Sequence, residues 1–212
     1  MKAKASQALY AYWNEVRKGR LAPRRFEIEP SRITPVLPET FILERLSSET
    51  YRFRLAGTRV CELLGGELRG ANFLDGWSNE DAITVARQLQ ASGQQGGVLL
   101  LTFETVNFGQ VSAAFECILL PLVHTRDYAD RFVGALSRLP PAEMAALERA
   151  TSRRLVSAEM IWPDGKPHAV MATANRQAPF LPHVRNARIV RSERRQFRVY
   201  EGGLGKPAND KI

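Results

Sequence analysis

Apolar and polar residues alternate from Tyr51 to Leu55, with Arg52 and Arg54 between Tyr51, Phe53 and Leu55, which predicts a half-buried strand. The run FILERL, residues 41 to 46, lies just before it across the polar stretch Ser47 to Thr50, so the two read as a hairpin. After Gly57 the period changes: Val60, Leu63 and Leu64 recur at helical spacing until Gly65 and Gly66, residues that stop a short helix cheaply. A second tight bend is expected at Gly70, before Phe73, Leu74 and Trp77. Nearer the N-terminus, Ala5, Leu9, Tyr12 or Trp13, and Val16 form one apolar helical stripe that ends near Lys18 and Gly19. Further on, Ser78 can cap a helix with Asp81 three positions later, carrying Ala82, Val85, Ala86 and Leu89 on one face until Gly93. Two long strands follow, residues 98 to 106 and 111 to 123, flanking a turn at Asn107 to Gln110. RFVGALSRL, residues 131 to 139, completes five strands, and Pro140 and Pro141 open another helix with Met144, Leu147 and Leu155 facing inward.

The order strand, strand, helices, strand, strand, strand predicts an α+β fold built on a five-stranded antiparallel sheet, with short helices on one face and an N-terminal amphipathic helix. Alternation assigns Phe53, Leu55, Leu99, Leu101, Phe103, Phe115 and Leu119 to the helix-facing interior. Arg52, Arg54, Glu44, Glu104 and Glu116 then project from the opposite face, where opposite charges on neighbouring strands can pair. That outer face needs a cover. The first helix can supply it within the chain, or Tyr12 and Trp13 can supply it to a second subunit, and the pattern does not decide between the two.

Several local devices occur together in an order that resembles a family of small bacterial PAS-like proteins, over about residues 6 to 150. They are Tyr12 and Trp13, then Pro23, Arg24 and Arg25, Ile28 to Pro30, Ile33, and Leu37 with Pro38 before the first strand. Arg54, Ala56, Gly57 and Thr58, with Gly65, Glu67, Leu68, Gly70 and Phe73, resemble the family's central signature, and Leu120, Pro121 and Leu122 the end of its fourth strand. The resemblance implies a PAS fold and a role as sensor or adaptor in signal transduction, shifting a histidine kinase or another signalling protein through protein contacts. It also implies a cavity between sheet and helices, with Gly57, Thr58, Asn72 and Trp77 at its rim. Haem-binding and flavin-binding members of the wider superfamily use a helical histidine or a loop cysteine. Here His124, His168 and His183 lie outside Ala56 to Ser92, and no cysteine stands between Asn72 and Phe73, so no cofactor is expected. A small apolar ligand remains compatible with so greasy an interior, although Phe73, Leu74, Trp77 and Phe103 can equally fill it.

Composition changes this picture mainly at the C-terminus. The formal charge of +8 is uneven: residues 1 to 150 hold 18 Lys/Arg against 17 Asp/Glu, and residues 151 to 212 hold 12 against 5. Arg185, Arg188, Arg191 and Arg194 recur every third residue, with Arg195 and Arg198 beyond, and on a helix they would form a basic ridge for phosphates, nucleic acid or an acidic protein. The plainer reading is a solvated tail. The expected organisation is therefore a helix and connector over 1 to 35, a PAS-like domain over 36 to 150, and a basic, partly disordered tail over 151 to 212. There is no apolar run long enough to span a bilayer and no secretory pattern at Met1 to Lys4, so cytoplasm is the expected location, with Cys61 and Cys117 reduced. GGLGKP, residues 202 to 207, lacks the spacing of a phosphate loop, and no linear catalytic motif is present; a non-catalytic homodimer is expected.

Overall fold

Val98 to Leu101 and Cys117 to Leu122 are apolar without alternation, as expected of strands buried on both faces. The computed structural model describes residues 1–107, 110–124, 128–140 and 152–168, with the backbone of 189–190 and 199–200. The chain divides into two units, Met1–Met171 and Ala172–Ile212. The first unit opens with helix α1 (Lys4–Arg17) and two 3-10 segments, Arg25–Glu27 and Pro30–Glu39. Then come β1 (Thr40–Arg45), β2 (Tyr51–Ala56), α2 (Thr58–Leu64), α3 (Asn79–Gln95), β3 (Val98–Asn107), β4 (Gln110–Val123), β5 (Ala129–Arg138) and β6 (Ser152–Ile161). The strands form one antiparallel sheet in the order β2-β1-β5-β4-β3-β6.

The α+β antiparallel architecture is as the sequence predicts, with one addition. The sheet has six strands among the described residues, because residues 152 to 161, assigned by sequence to a tail, pair along β3. Leu155, expected on a helix, sits on β6 opposite Phe103 and packs against the helix-facing core. The period was hidden by a bulge. Opposite Thr102 and Phe103 the register of β6 slips by one, so Arg153 and Leu155 point inward before it and Ala158 and Met160 after it. Residues 141–151, with Met144 and Leu147, lie outside the described residues.

One face of the sheet packs on α2, α3 and the loop between them, through Phe41, Leu43, Phe53, Val60, Leu63, Val85, Leu89, Leu101, Phe115 and Leu119. The opposite face carries Ile42, Val98, Leu100, Ile118, Leu120, Leu122 and Val133, and is covered by α1 and the connector through Leu9, Tyr12, Trp13, Ile28 and Ile33. Leu55 departs from its assignment. A bulge beside Leu43 inserts Arg54, so Leu55 pairs with Ile42 on the outer face and is 49% exposed instead of interior. On the inner face the Phe41 ring lies across Gly134 of β5, leaving no space there for a Cβ.

Helix α3 begins as predicted, with Ser78 Oγ accepting from the Asp81 N–H at 3.2 Å, and ends at Gly96 at φ 72°. It runs through Gly93, where the Ala129 carbonyl of β5 approaches closely. In the second unit, Ile189–Val190 (β7) pairs antiparallel with Val199–Tyr200 (β8).

Trp13 is fully buried, and its Nε1–H donates to the Pro121 carbonyl at 2.8 Å. The Trp13→Ala variant is expected to lose about 3 to 5 kcal/mol of stability through the cavity it leaves. The urea midpoint of the purified chain measures this; a midpoint unchanged by the substitution would mean that α1 does not hold the sheet's outer face.

Candidate functional site

The residues expected to rim a cavity occupy the turn and loop above the inner face of the sheet. Gly57 caps α2 and donates its N–H to the Thr40 carbonyl at 2.8 Å; a Cβ there would run into the carbonyls of Leu37 and Pro38. Thr58, the first residue of α2, is exposed. Asn72 faces the free edge of β2, where its Oδ1 accepts from the N–H of Tyr51 at 2.9 Å and its Nδ2 donates to the Glu49 carbonyl at 3.2 Å. Around it, Phe53 N–H donates to Ala71, Gly70 N–H to Phe53, and Phe73 N–H to Tyr51, so the loop completes the edge that β2 would otherwise leave open. Trp77 is buried and donates its Nε1–H to the Phe73 carbonyl at 3.0 Å.

These bonds bring the aromatic rings into one file. Phe41, Phe53, Phe73, Trp77, Phe103 and Phe115 follow one another with centroid separations of 5.0 to 6.1 Å, filling the space between sheet and helices along that line. Cys117 lies fully buried beneath, and burial pushes its thiol far above the usual range, so it stays protonated and unreactive. Tyr51 also lies in this core, its hydroxyl meeting no hydrogen-bond partner among the described residues, and burial raises its phenol pKa.

Tyr12 and Trp13, expected as a pair available to a partner, are buried within their own chain. Tyr12 Oη accepts the Glu29 N–H at 2.7 Å and Arg32 lies over its ring at 5.0 Å, while Arg17 lies over the Trp13 ring at 5.7 Å. Three contacts fix the helix. Its N-terminus has no side-chain cap; instead the carboxylate of Glu116, buried on β4, accepts the N–H groups of Lys2 at 2.6 Å and Ala3 at 3.0 Å. Its middle is held by Trp13. Its C-terminus is held by Arg17, which is bidentate to Asp164 at 2.6 and 2.9 Å just beyond β6. The sequence reading placed Glu116 on the outer face but missed its use. The one signal was the absence of Ser, Thr, Asp or Asn just before Lys4, which leaves the start of the helix without a local side-chain acceptor.

β6 and the residues after it also bind the neighbouring elements. Arg153 N–H donates to the Gly76 carbonyl at 2.6 Å and its Nη1 to Phe73 at 3.2 Å; burial lowers the pKa of its guanidinium. Leu155 N–H donates to the Asp81 carboxylate of α3 at 3.0 Å. After the strand, the backbone of His168 donates to the Gln95 carbonyl at the end of α3.

An antiparallel sheet in the order 2-1-5-4-3, with two helices and a loop roofing one face, is the arrangement of a sensor domain, and the PAS domain family matches residues 1–137. The chain belongs to the PAS domain family. No curated protein and no solved structure matches the chain. PAS domains are in general signal-sensing modules. In this PAS domain the match ends inside β5, so β6 and the turn that holds α1 lie beyond it. Among the described residues no cluster of His, Cys, Asp or Glu could hold a metal ion, and no helix is long and apolar enough to cross a membrane. Arg185, Arg188, Arg191, Arg194, Arg195 and Arg198 lie outside the described residues.

Burial pushes the Glu116 carboxyl up, but the backbone N–H groups of Lys2 and Ala3 outweigh this and hold it below its ordinary value of 4.5. A carboxyl lowered on folding stabilises the fold above its unfolded pKa and loses that contribution as pH falls through the folded one. Stability is therefore expected to fall below pH 4.5 in part through release of the α1 N-terminus. Urea midpoints across acid pH should show a shallower acid decline in Glu116→Gln; an identical slope would remove Glu116 from the account.

Proposed function

We propose that this PAS domain is a non-catalytic sensor or adaptor of bacterial signal transduction in the cytoplasm, working through protein contacts. Its helix-facing interior takes at most a small apolar ligand, with Gly57, Thr58, Asn72 and Trp77 as the elements that yield to it. A second copy of the chain, a histidine kinase or another regulator is the receiving partner. One observation carries this reading: β6 and the turn after it bind the Phe73–Trp77 loop, the first turn of α3 and the end of α1 at once. A change in the interior that moves the loop therefore strains Arg153 and Leu155. That strain reaches Asp164 and the helix it holds. Ligand or partner acts by population shift, favouring one arrangement of α1 against the sheet through its differential affinity for the two.

Asp164→Asn separates this reading from a purely structural one. Native mass spectrometry of the freshly purified chain is expected to report a dimer or a retained small molecule. In the variant, hydrogen exchange is expected to quicken both at the end of α1 and in the Phe73–Trp77 loop. A clean apo monomer whose exchange changes only beside Arg17 would overturn the proposal.

A further inference from the structure

On the outer face, at the end of the sheet where Arg52 and Arg54 remain partly open to solvent, cross-strand register gathers three guanidiniums around one carboxylate. Glu44 of β1 stands opposite Arg52 of β2 and Arg131 of β5, and the bulge adds Arg54. Its oxygens lie 2.9 Å from Arg131, 3.3 Å from Arg52 and 3.6 Å from Arg54. One carboxylate cannot satisfy three five-donor forks. The Nε–H groups of Arg52 and Arg131 are buried and meet no acceptor among the described residues, and the side chains of Arg52 and Arg54 remain 38% and 48% exposed. The cluster thus holds two more positive charges than negative, in a rigid frame fixed by three strands.

The same bulge that brings Arg54 into the cluster turns Leu55 out beside it, 49% exposed, where regular alternation would have buried it. A basic cluster with an apolar residue at its margin is complementary to a protein segment that alternates acidic and apolar side chains. A nucleic-acid strand fits it poorly, since phosphate binding draws on a longer track of cations and makes no use of Leu55. We propose that Arg52, Arg54 and Arg131, with Leu55, form a docking surface for an acidic amphipathic segment of a partner protein. In naming a protein as the occupant the inference rests on the adaptor reading. Glu44 acts as an internal placeholder: it orients the three arginines in the free protein and competes with the incoming carboxylates.

Fluorescence anisotropy of a labelled peptide of alternating Glu and Leu, titrated with the full chain, tests this against a Gln-for-Glu peptide and a short single-stranded DNA. The acidic peptide is expected to bind, and the Arg52→Gln/Arg54→Gln pair to weaken it about tenfold or more. Glu44→Gln is expected to strengthen it severalfold by removing the competitor; the double arginine variant stands alone as the test if that protein does not fold. Peptide binding insensitive to the arginine pair, or the absence of binding, would overturn the patch. Tighter binding of the DNA, lost in the same variant, would overturn the protein partner. Failure of the adaptor reading is separable: the peptide would then bind at the patch without changing hydrogen exchange in α1.

Discussion

A single sheet with two apolar faces is the constraint from which the remainder follows. Leu99 and Leu101 must be hidden on one side while Val98 and Leu100 must be hidden on the other, and the same holds for Cys117 and Leu119 against Ile118 and Leu120. No arrangement of α2 and α3 alone can do both. The inner face takes the helices and the aromatic file, and the outer face therefore needs α1 and the Pro-rich connector. Burying each fully enclosed Leu or Phe side chain is favourable by about 1.5 to 3 kcal/mol, so an uncovered outer face would forfeit more than a small domain can lose. This decides the question that the amphipathic stripe left open, with Trp13 hidden under its own chain.

The helix that covers the outer face is attached to it at three places. Its fixation combines one apolar contact region with two polar termini, at Glu116 and at Asp164, and the polar ends are set by residues 100 or more positions away in sequence. These attachments are discrete bonds, set beside a core whose rings are close-packed. The buried Arg153 extends the chain of bonds to the loop above the aromatic file. The population shift proposed above would draw on this arrangement, a stiff interior beneath a cover held from more than one side.

Most of the elements could be read from the sequence because each obeys a single period. The hairpin of β1 and β2, the Ser78 cap, the glycine stops after α2 and the long pair β3 and β4 all stand within a few residues of their expected bounds. Where reading failed, the period was broken by a bulge. One residue inserted at Arg54 reverses Leu55, and one slip opposite Phe103 disguises β6 as a tail. A bulge is set by the pairing partner, so a strand examined alone does not reveal it. The bonding of the candidate rim is a separate matter: Asn72 and Trp77 lie on one loop beside the sheet, and local sequence does not say that their polar atoms bond to Tyr51, Glu49 and Phe73.

Two of the sheet's register shifts, those in β2 and β6, share a consequence. Each adds a residue where regular pairing would have kept the sheet uniform, and each places charge at a boundary: Arg54 joins Glu44 on the outer face, and the slip in β6 leaves Arg153 inside, against the Phe73 carbonyl. For the buried Arg153 guanidinium this costs desolvation, offset in part by its bond to the Phe73 carbonyl, whereas the half-exposed Arg54 keeps much of its hydration. Stability accounts for the regular part of the sheet. These two shifts are where charge enters it: Arg54 on the partly exposed outer face, and Arg153 in the interior beside the Phe73 carbonyl.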